Sequence, residues 1–226
     1  MPGEYKNIEI NEEVVLIGEG LADENFFKKL IARRPVLTES CGANILNAEG
    51  VTKIATTLKG ISRAKGFRNV KGVLIAADSG SDPTKTFDDI CKQIKSATGY
   101  NIPAKPLEIA PKTDDYPAVA VMLLPDENTP GGLEALCVEE IIQKYPWVED
   151  CVETFLSCGE IDITTWPVEK QGKARFHSMV AALNRDDPSR SLSKSFKDPN
   201  PIIDVSASCF DKVAEQLKDF CCAVRK

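Results

Sequence analysis

Val14-Val15-Leu16-Ile17-Gly18-Glu19-Gly20-Leu21-Ala22-Asp23-Glu24-Asn25-Phe26-Phe27-Lys28-Lys29-Leu30-Ile31 contains a change of period that decides the fold class. A short β-branched apolar run opens after Glu12-Glu13 and closes on Gly18-Glu19-Gly20. From Asp23 the apolar positions recur at helical spacing, with acids in the first turn and bases in the last, the arrangement that complements a helix dipole. This reads as strand, loop, helix. The reading repeats downstream: a strand at 43–46 precedes a helix at 52–64 with Ile54, Leu58 and Ile61 on one stripe. A buried strand at 70–77 ends on Asp78, and a helix at 84–98 follows through Phe87, Ile90, Cys91 and Ile94. A further strand is expected at 107–110. Ala118-Val119-Ala120-Val121-Met122-Leu123-Leu124 is the most apolar run of the chain, as in central strands covered on both faces. It ends at Pro125-Asp126, and a turn at 128–132 leads into a helix at 133–145. The expected fold is therefore α/β: a mostly parallel, Rossmann-like sheet flanked by helices over residues 1–145.

From Trp147 onward strong strand runs disappear. Helices are expected at 148–157, 173–183 and 208–222, separated by the proline-rich loops Asp186-Asp187-Pro188 and Asp198-Pro199-Asn200-Pro201. Residues 146–226 thus read as a helical C-terminal extension packed on the same core. The 226 residues are 42% hydrophobic and 27% charged, which excludes collagen-like, disordered and coiled-coil classes. The start MPGEYKNIEINEEVVL lacks the basic and apolar regions of a secretory signal, and no run approaches the ~18 apolar residues of a membrane span. The expectation is a cytoplasmic protein without a membrane partner. Eight cysteines include no C-x-x-C pair, so zinc-ribbon and thioredoxin-like readings lose their signature, and reduced, packed thiols are expected.

A net charge of -6 argues against nucleic acid wrapping the whole surface. The distribution is uneven, however. Residues 51–72 carry Lys53, Lys59, Arg63, Lys65, Arg68 and Lys71 and no acid. Lys53, Lys59, Arg63 and Lys65, with Lys170 and Lys173 further on, are candidate phosphate contacts; solvated helix faces explain the same residues equally well. Trp147 and Trp166 can stack bases or serve packing, and His177 is the only histidine available as a base.

In open α/β sheets ligands bind outside the carboxyl ends of the strands. Three strand exits carry acids here: Glu19 and Asp23 after the first, Asp78 and Asp82 after the 70–77 strand, Asp126 and Glu134 after the 118–124 strand. Converging anions raise one another's pKa and oppose the compact state, a cost that a divalent cation removes. Hard oxygen donors at about 2.1 Å suit Mg2+, with Mn2+ as a substitute. Such a site favours phosphoryl transfer or phosphodiester cleavage.

The segment Val15 to Phe27, with Glu19 and Asp23 in E-x-x-x-D spacing, resembles the opening of a TOPRIM domain, the metal-binding module of topoisomerases, primases and OLD-family nucleases; the spacing is most similar to the OLD version. Val73-Leu74-Ile75-Ala76-Ala77-Asp78-Ser79-Gly80-Ser81-Asp82 is similar to the second motif, commonly D-x-D, with Gly80 in its third position and Asp82 two residues on. Gly132-Leu133-Glu134-Ala135-Leu136 resembles the G-x-E-x-L segment that supplies a later acid. The resemblance, spanning roughly residues 12–145, implies a small stand-alone TOPRIM protein and a Mg2+-dependent nuclease acting on DNA or RNA, of the kind that serves as a phage-defence effector. It further implies Glu19 and Asp78 as catalytic ligands, with Asp23, Asp82, Asp126 and Glu134 completing the metal site, and a separate ATPase as partner. Homodimerisation would lengthen a local basic track. Two other readings fit part of the pattern. A noncatalytic regulatory or interaction module would explain Gly80; a receiver domain would use Asp78 as phosphoacceptor, but receivers carry Lys-Pro where this chain has Pro125-Asp126.

Overall fold

The computed structural model describes residues 8–197 and 202–226; the loop expected at 198–201 lies outside them. Four strands, β1 (Val14–Gly18), β2 (Ala43–Asn47), β3 (Gly72–Asp78) and β4 (Ala118–Leu124), form one sheet in the order β2-β1-β3-β4, and every pairing is parallel. Parallel neighbours need crossovers. These are supplied by α1 (Leu21–Arg33) with α2 (Pro35–Ser40), by α3 (Ile54–Ile61), and by α4 (Pro83–Ala97). After β4 the chain is helical: α5 (Leu133–Lys144), α6 (Trp147–Leu156), α7 (Val168–Leu183), α8 (Leu192–Ser195) and α9 (Asp211–Arg225). The fold is the expected α/β parallel sheet flanked by helices.

Strand side chains alternate between faces, and that alternation divides the core. Val14 and Leu16 point into a cluster with Phe26, Phe27, Leu136, Phe176, Phe210 and Leu217, contributed by helices from both halves of the chain. Val15 and Ile17 point into a second cluster with Ile54, Leu58, Ile90 and Ile94 of α3 and α4. β1 and β4 are fully buried along their length because both faces are covered, which explains their unbroken apolar runs. β4 is nevertheless an edge strand of the sheet and not the central one that its apolarity predicts, its outer edge being covered by the segment at 107–110. Polar contacts fix the later helices. Arg175 grips both carboxylate oxygens of Glu153, at 2.6 and 3.2 Å, joining α7 to α6. Arg34 at the end of α1 donates to the carbonyls of Val205 and Ala207 and pairs with Asp211 at 2.6 Å.

Several expectations are corrected. Residues 107–110 form no strand; Ala110 makes one antiparallel bridge to Val119, and Leu107, at φ 63°, donates to Val121 across the outer edge of β4. Pro103, Pro106 and Pro111 remove the donors that a longer ladder needs. Helix α7 begins five residues before the expected start, running through Gly172, which does not break it. The 52–64 helix is a single 3-10 turn followed by the shorter α3. The expectation of reduced thiols fails at one pair: Cys41 and Cys221 are joined as a disulfide, with Cα atoms 5.5 Å apart across a separation of 180 residues that spacing rules cannot bridge. Among the described residues no helix is long and apolar enough to cross a membrane.

Candidate functional site

The chain visits β2 on one side of β1 and then returns to place β3 on the other. The order of connection therefore reverses between β1 and β3, and the crevice at such a switch point is where open sheets bind ligands. Glu19 follows β1 and Asp78 ends β3, so the two residues flank this crevice.

Glycines bring further acids to it. A Cβ on Gly18 would lie 2.6 Å from the Asp23 Cβ, so only glycine lets the first turn of α1 fold back over the strand end. Asp23 is there held by the Gly20 N–H, which donates to its Oδ2 at 2.8 Å, and is 6% exposed. Similarly, a Cβ on Gly132 would lie 2.6 Å from the Asp78 carboxylate. Close approach of that backbone lets the Leu133 N–H, at the start of α5, donate to Asp78 Oδ1 at 3.0 Å. Glu134 is the next residue along the helix.

These carboxylates are electrostatically coupled. Burial pushes the Glu19 carboxyl above its usual range, with the Asp78 charge adding to the effect, while a backbone hydrogen bond from Asp78 and the Lys173 cation oppose it. Burial raises Asp23 to about 7; the charge of Asp78 reinforces this, the Gly20 hydrogen bond offsets part, and Glu19 and Glu134 add smaller increments. Burial likewise raises Asp78 to about 6, followed by repulsion from Glu134, with the Leu133 N–H and Lys173 opposing. Desolvation plus like charge marks functional sites more often than structural ion pairs, which depress carboxylate pKa values.

The structure thus brings Glu19, Asp23, Asp78 and Glu134 together, and gives the other two predicted acids different work. Asp82 is the N-cap of α4, accepting from the Lys85 N–H at 3.0 Å. Asp126 closes a turn, accepting from the N–H groups of Asn128 and Thr129 at 2.8 and 2.9 Å, and faces Lys212 at 3.6 Å. Gly80, where D-x-D would place its second acid, has φ 64° and exchanges two backbone hydrogen bonds with Gly131, at 2.9 and 2.7 Å. A left-handed conformation favours glycine, so the departure is built into the loop.

Glu169, which sequence reasoning missed, opens α7 and accepts from Ser81 Oγ at 2.5 Å; its charge adds to the pressure on Asp78. Nothing in the sequence links it to residues about ninety positions earlier. The same helix carries Lys170 and Lys173 at the carboxylate end. Lys53 pairs with Glu49 at 3.1 Å beside Gly50, whose N–H donates to the Glu19 carbonyl, so it too lies at this end. Lys59 falls in the last turn of α3, and Arg63 and Lys65 follow it to the opposite end of the sheet, where Lys65 pairs with Glu9 at 2.7 Å ahead of β1. Trp147 and Trp166 are 56% and 43% exposed, so neither is a core residue.

Among the described residues no three His, Cys, Asp or Glu side chains already form a group able to hold a metal ion. The model of a family described as a protein of unknown function, DUF3226, matches residues 13–222. No curated protein and no solved structure matches the chain.

Proposed function

We propose, for a chain that belongs to the DUF3226 family over residues 13–222, a divalent-cation-dependent phosphodiester hydrolase, a nuclease of the TOPRIM type resembling that of OLD-family proteins. The observation that carries the reading is the set of desolvated, mutually repelling carboxylates Glu19, Asp23 and Asp78 at the switch point of the sheet. These residues fit a hard dication. They are oxygen donors whose charged forms oppose one another, and Lys173 offsets only part of that repulsion. Glu19 and Asp78 would hold Mg2+ or Mn2+, with Glu134 completing the set. Bound there, the ion supplies Lewis-acid stabilisation of charge on the phosphate oxygens.

The chain's own groups do the rest. Burial holds the Asp23 carboxyl pKa at about 7, with Oδ2 accepting from the Gly20 N–H, so the charge it would offer a cation grows as pH rises through neutrality. The Leu133 N–H fixes the Asp78 carboxylate in one orientation. Lys170 and Lys173, on the helix above, orient substrate phosphates. Asp82 and Asp126 act through the loops that they cap. The resemblance carries with it a phage-defence role and a separate ATPase partner; the reading also includes a cytoplasmic setting and a homodimer that lengthens a local basic track.

A second reading, a noncatalytic regulatory module, is favoured by Gly80 and by the lack of a ready-made ligand group among the described residues. Cleavage of labelled plasmid, single-stranded DNA and total tRNA in Mg2+ and in Mn2+ tests both readings. Cutting that disappears in Glu19→Ala and Asp78→Ala is the expected result. No cutting together with no Mg2+-dependent rise in Tm sinks the nuclease and leaves the module.

A further inference from the structure

The opposite end of the sheet carries a second charged surface. A groove of about 1640 Å³ opens beneath the starts of β1, β3 and β4, lined by the 3-10 turn at 67–69, the loop at 112–117 and the end of α9. Small-molecule pockets run to about 300–1,000 Å³, so this space is large for one compact ligand. Six basic residues line it against three acidic ones, although the chain as a whole is at -6. Lys71 and Arg225 are committed to Glu13, at 2.8 and 3.4 Å. Arg63, Arg68 and Lys112 are exposed and, among the described residues, make no ion pair. Two half-buried rings that pack on the core beneath, Phe67 and Tyr116, also line it, in edge contact at 6.0 Å; Tyr116 is backed by Tyr100 at 4.8 Å. Asp114 and Asp115 sit on the rim.

We infer that this groove binds single-stranded nucleic acid: free cations for the phosphates, two aromatic faces for bases, and carboxylates that accept from exocyclic amino groups. Cationic grooves with interleaved aromatics track single strands in this way. An acidic peptide matches less well, because the rings would have no counterpart and Asp114 and Asp115 would have no amino groups to accept from. The seven-residue β3 spans about 23 Å, so the groove and the carboxylates are separate sites. The inference goes beyond the proposed hydrolase and does not require cleavage.

Fluorescence anisotropy with a labelled 20-nucleotide single strand of mixed sequence, in EDTA and at several salt concentrations, tests it. Arg63→Glu/Arg68→Glu is expected to weaken binding at least ~10-fold and to flatten the log Kd against log salt slope by about 1.4, since each phosphate contact on a single strand contributes about 0.7. Lys112→Glu alone should act in the same direction by a smaller factor, and circular dichroism confirms that each variant is folded. Binding should persist in Glu19→Ala/Asp78→Ala, which separates failure of this site from failure of the hydrolase reading. An unchanged affinity and slope in folded charge-reversal variants, no binding by the unmodified chain, or equal affinity for a free nucleoside triphosphate would each overturn the inference.

Discussion

The two ends of one parallel sheet carry opposite chemistry. At the carboxyl end, acids are drawn inward by glycine-permitted close approaches, lose water and push one another's protonation upward. At the amino end, bases stay in solvent around an open groove, several paired with nearby acids at surface distances. Surface pairs are screened and contribute little, whereas buried like charges cost free energy that only protons or cations remove. The contrast teaches that charge sign alone does not mark a site: desolvation distinguishes the acidic end, and an open groove lined by aromatic rings and by cations unpaired among the described residues distinguishes the basic one.

The largest expected effect sharpens that contrast. If a dication stabilises charge at the acidic end, Asp78→Ala should lower cleavage by at least ~10³-fold, because metal stabilisation is worth several kcal/mol. Rate measurements on folded protein, with Lys65→Ala as a companion expected to retain full rate, would check it.

The next effect concerns pH. Asp23 and Asp78 have folded pKa values of about 7 and about 6 against a usual 3.8. At these two groups the folded chain therefore binds more protons than the unfolded chain between those limits, and their contribution to stability falls as pH rises. In EDTA, the carboxylate contribution should be fully present below about pH 4 and lost on approaching pH 7, on the order of a few kcal/mol. Asp23→Asn should flatten the Tm against pH curve, and Mg2+ should restore Tm chiefly at the upper end. A Tm that rises steadily from pH 4 to 7 in EDTA would break the comparison.

Smaller still is the effect of adding one methyl group. Gly132→Ala forces a Cβ to within 2.6 Å of the Asp78 carboxylate, and Gly18→Ala does the same at the Asp23 Cβ. Each should cost about 1–3 kcal/mol in urea unfolding and weaken the Mg2+-dependent rise in Tm, as overpacking does elsewhere. Smallest of all, Lys65→Ala removes an exposed ion pair to Glu9 and should leave Tm unresolved from that of the unmodified chain.

How far the sequence could be read varies by element. β1, β3 and β4 were legible because they are covered on both faces, which writes a continuous apolar run into the chain. Glu19, Asp23, Asp78 and Glu134 were legible because strand exits are short in sequence and the rule for ligand placement acts on them. Asp82 and Asp126 could be read as ligands or as a cap and a turn, since those uses take the same residue type as a charged site, and the structure shows the cap and the turn. The basic run at 51–72 read as one cluster; α3 carries its members from one end of the sheet to the other, leaving Lys53 near the acids and Arg63 in the groove.

By itself the amino-acid sequence determined what depends on neighbours within a few residues: the alternation of strand and helix, the apolar stripes, and the acids at strand exits. Tertiary structure alone decided what depends on distance across the chain. It set the order β2-β1-β3-β4 that makes a switch point, the seat of Glu169 against Ser81, the Cys41–Cys221 pairing, and the joining of Arg63, Arg68 and Lys112 with two aromatic rings in one groove. The physical reason is that local propensity and period act over one or two turns, while burial and electrostatic coupling act through space between segments whose separation in sequence carries no geometric information.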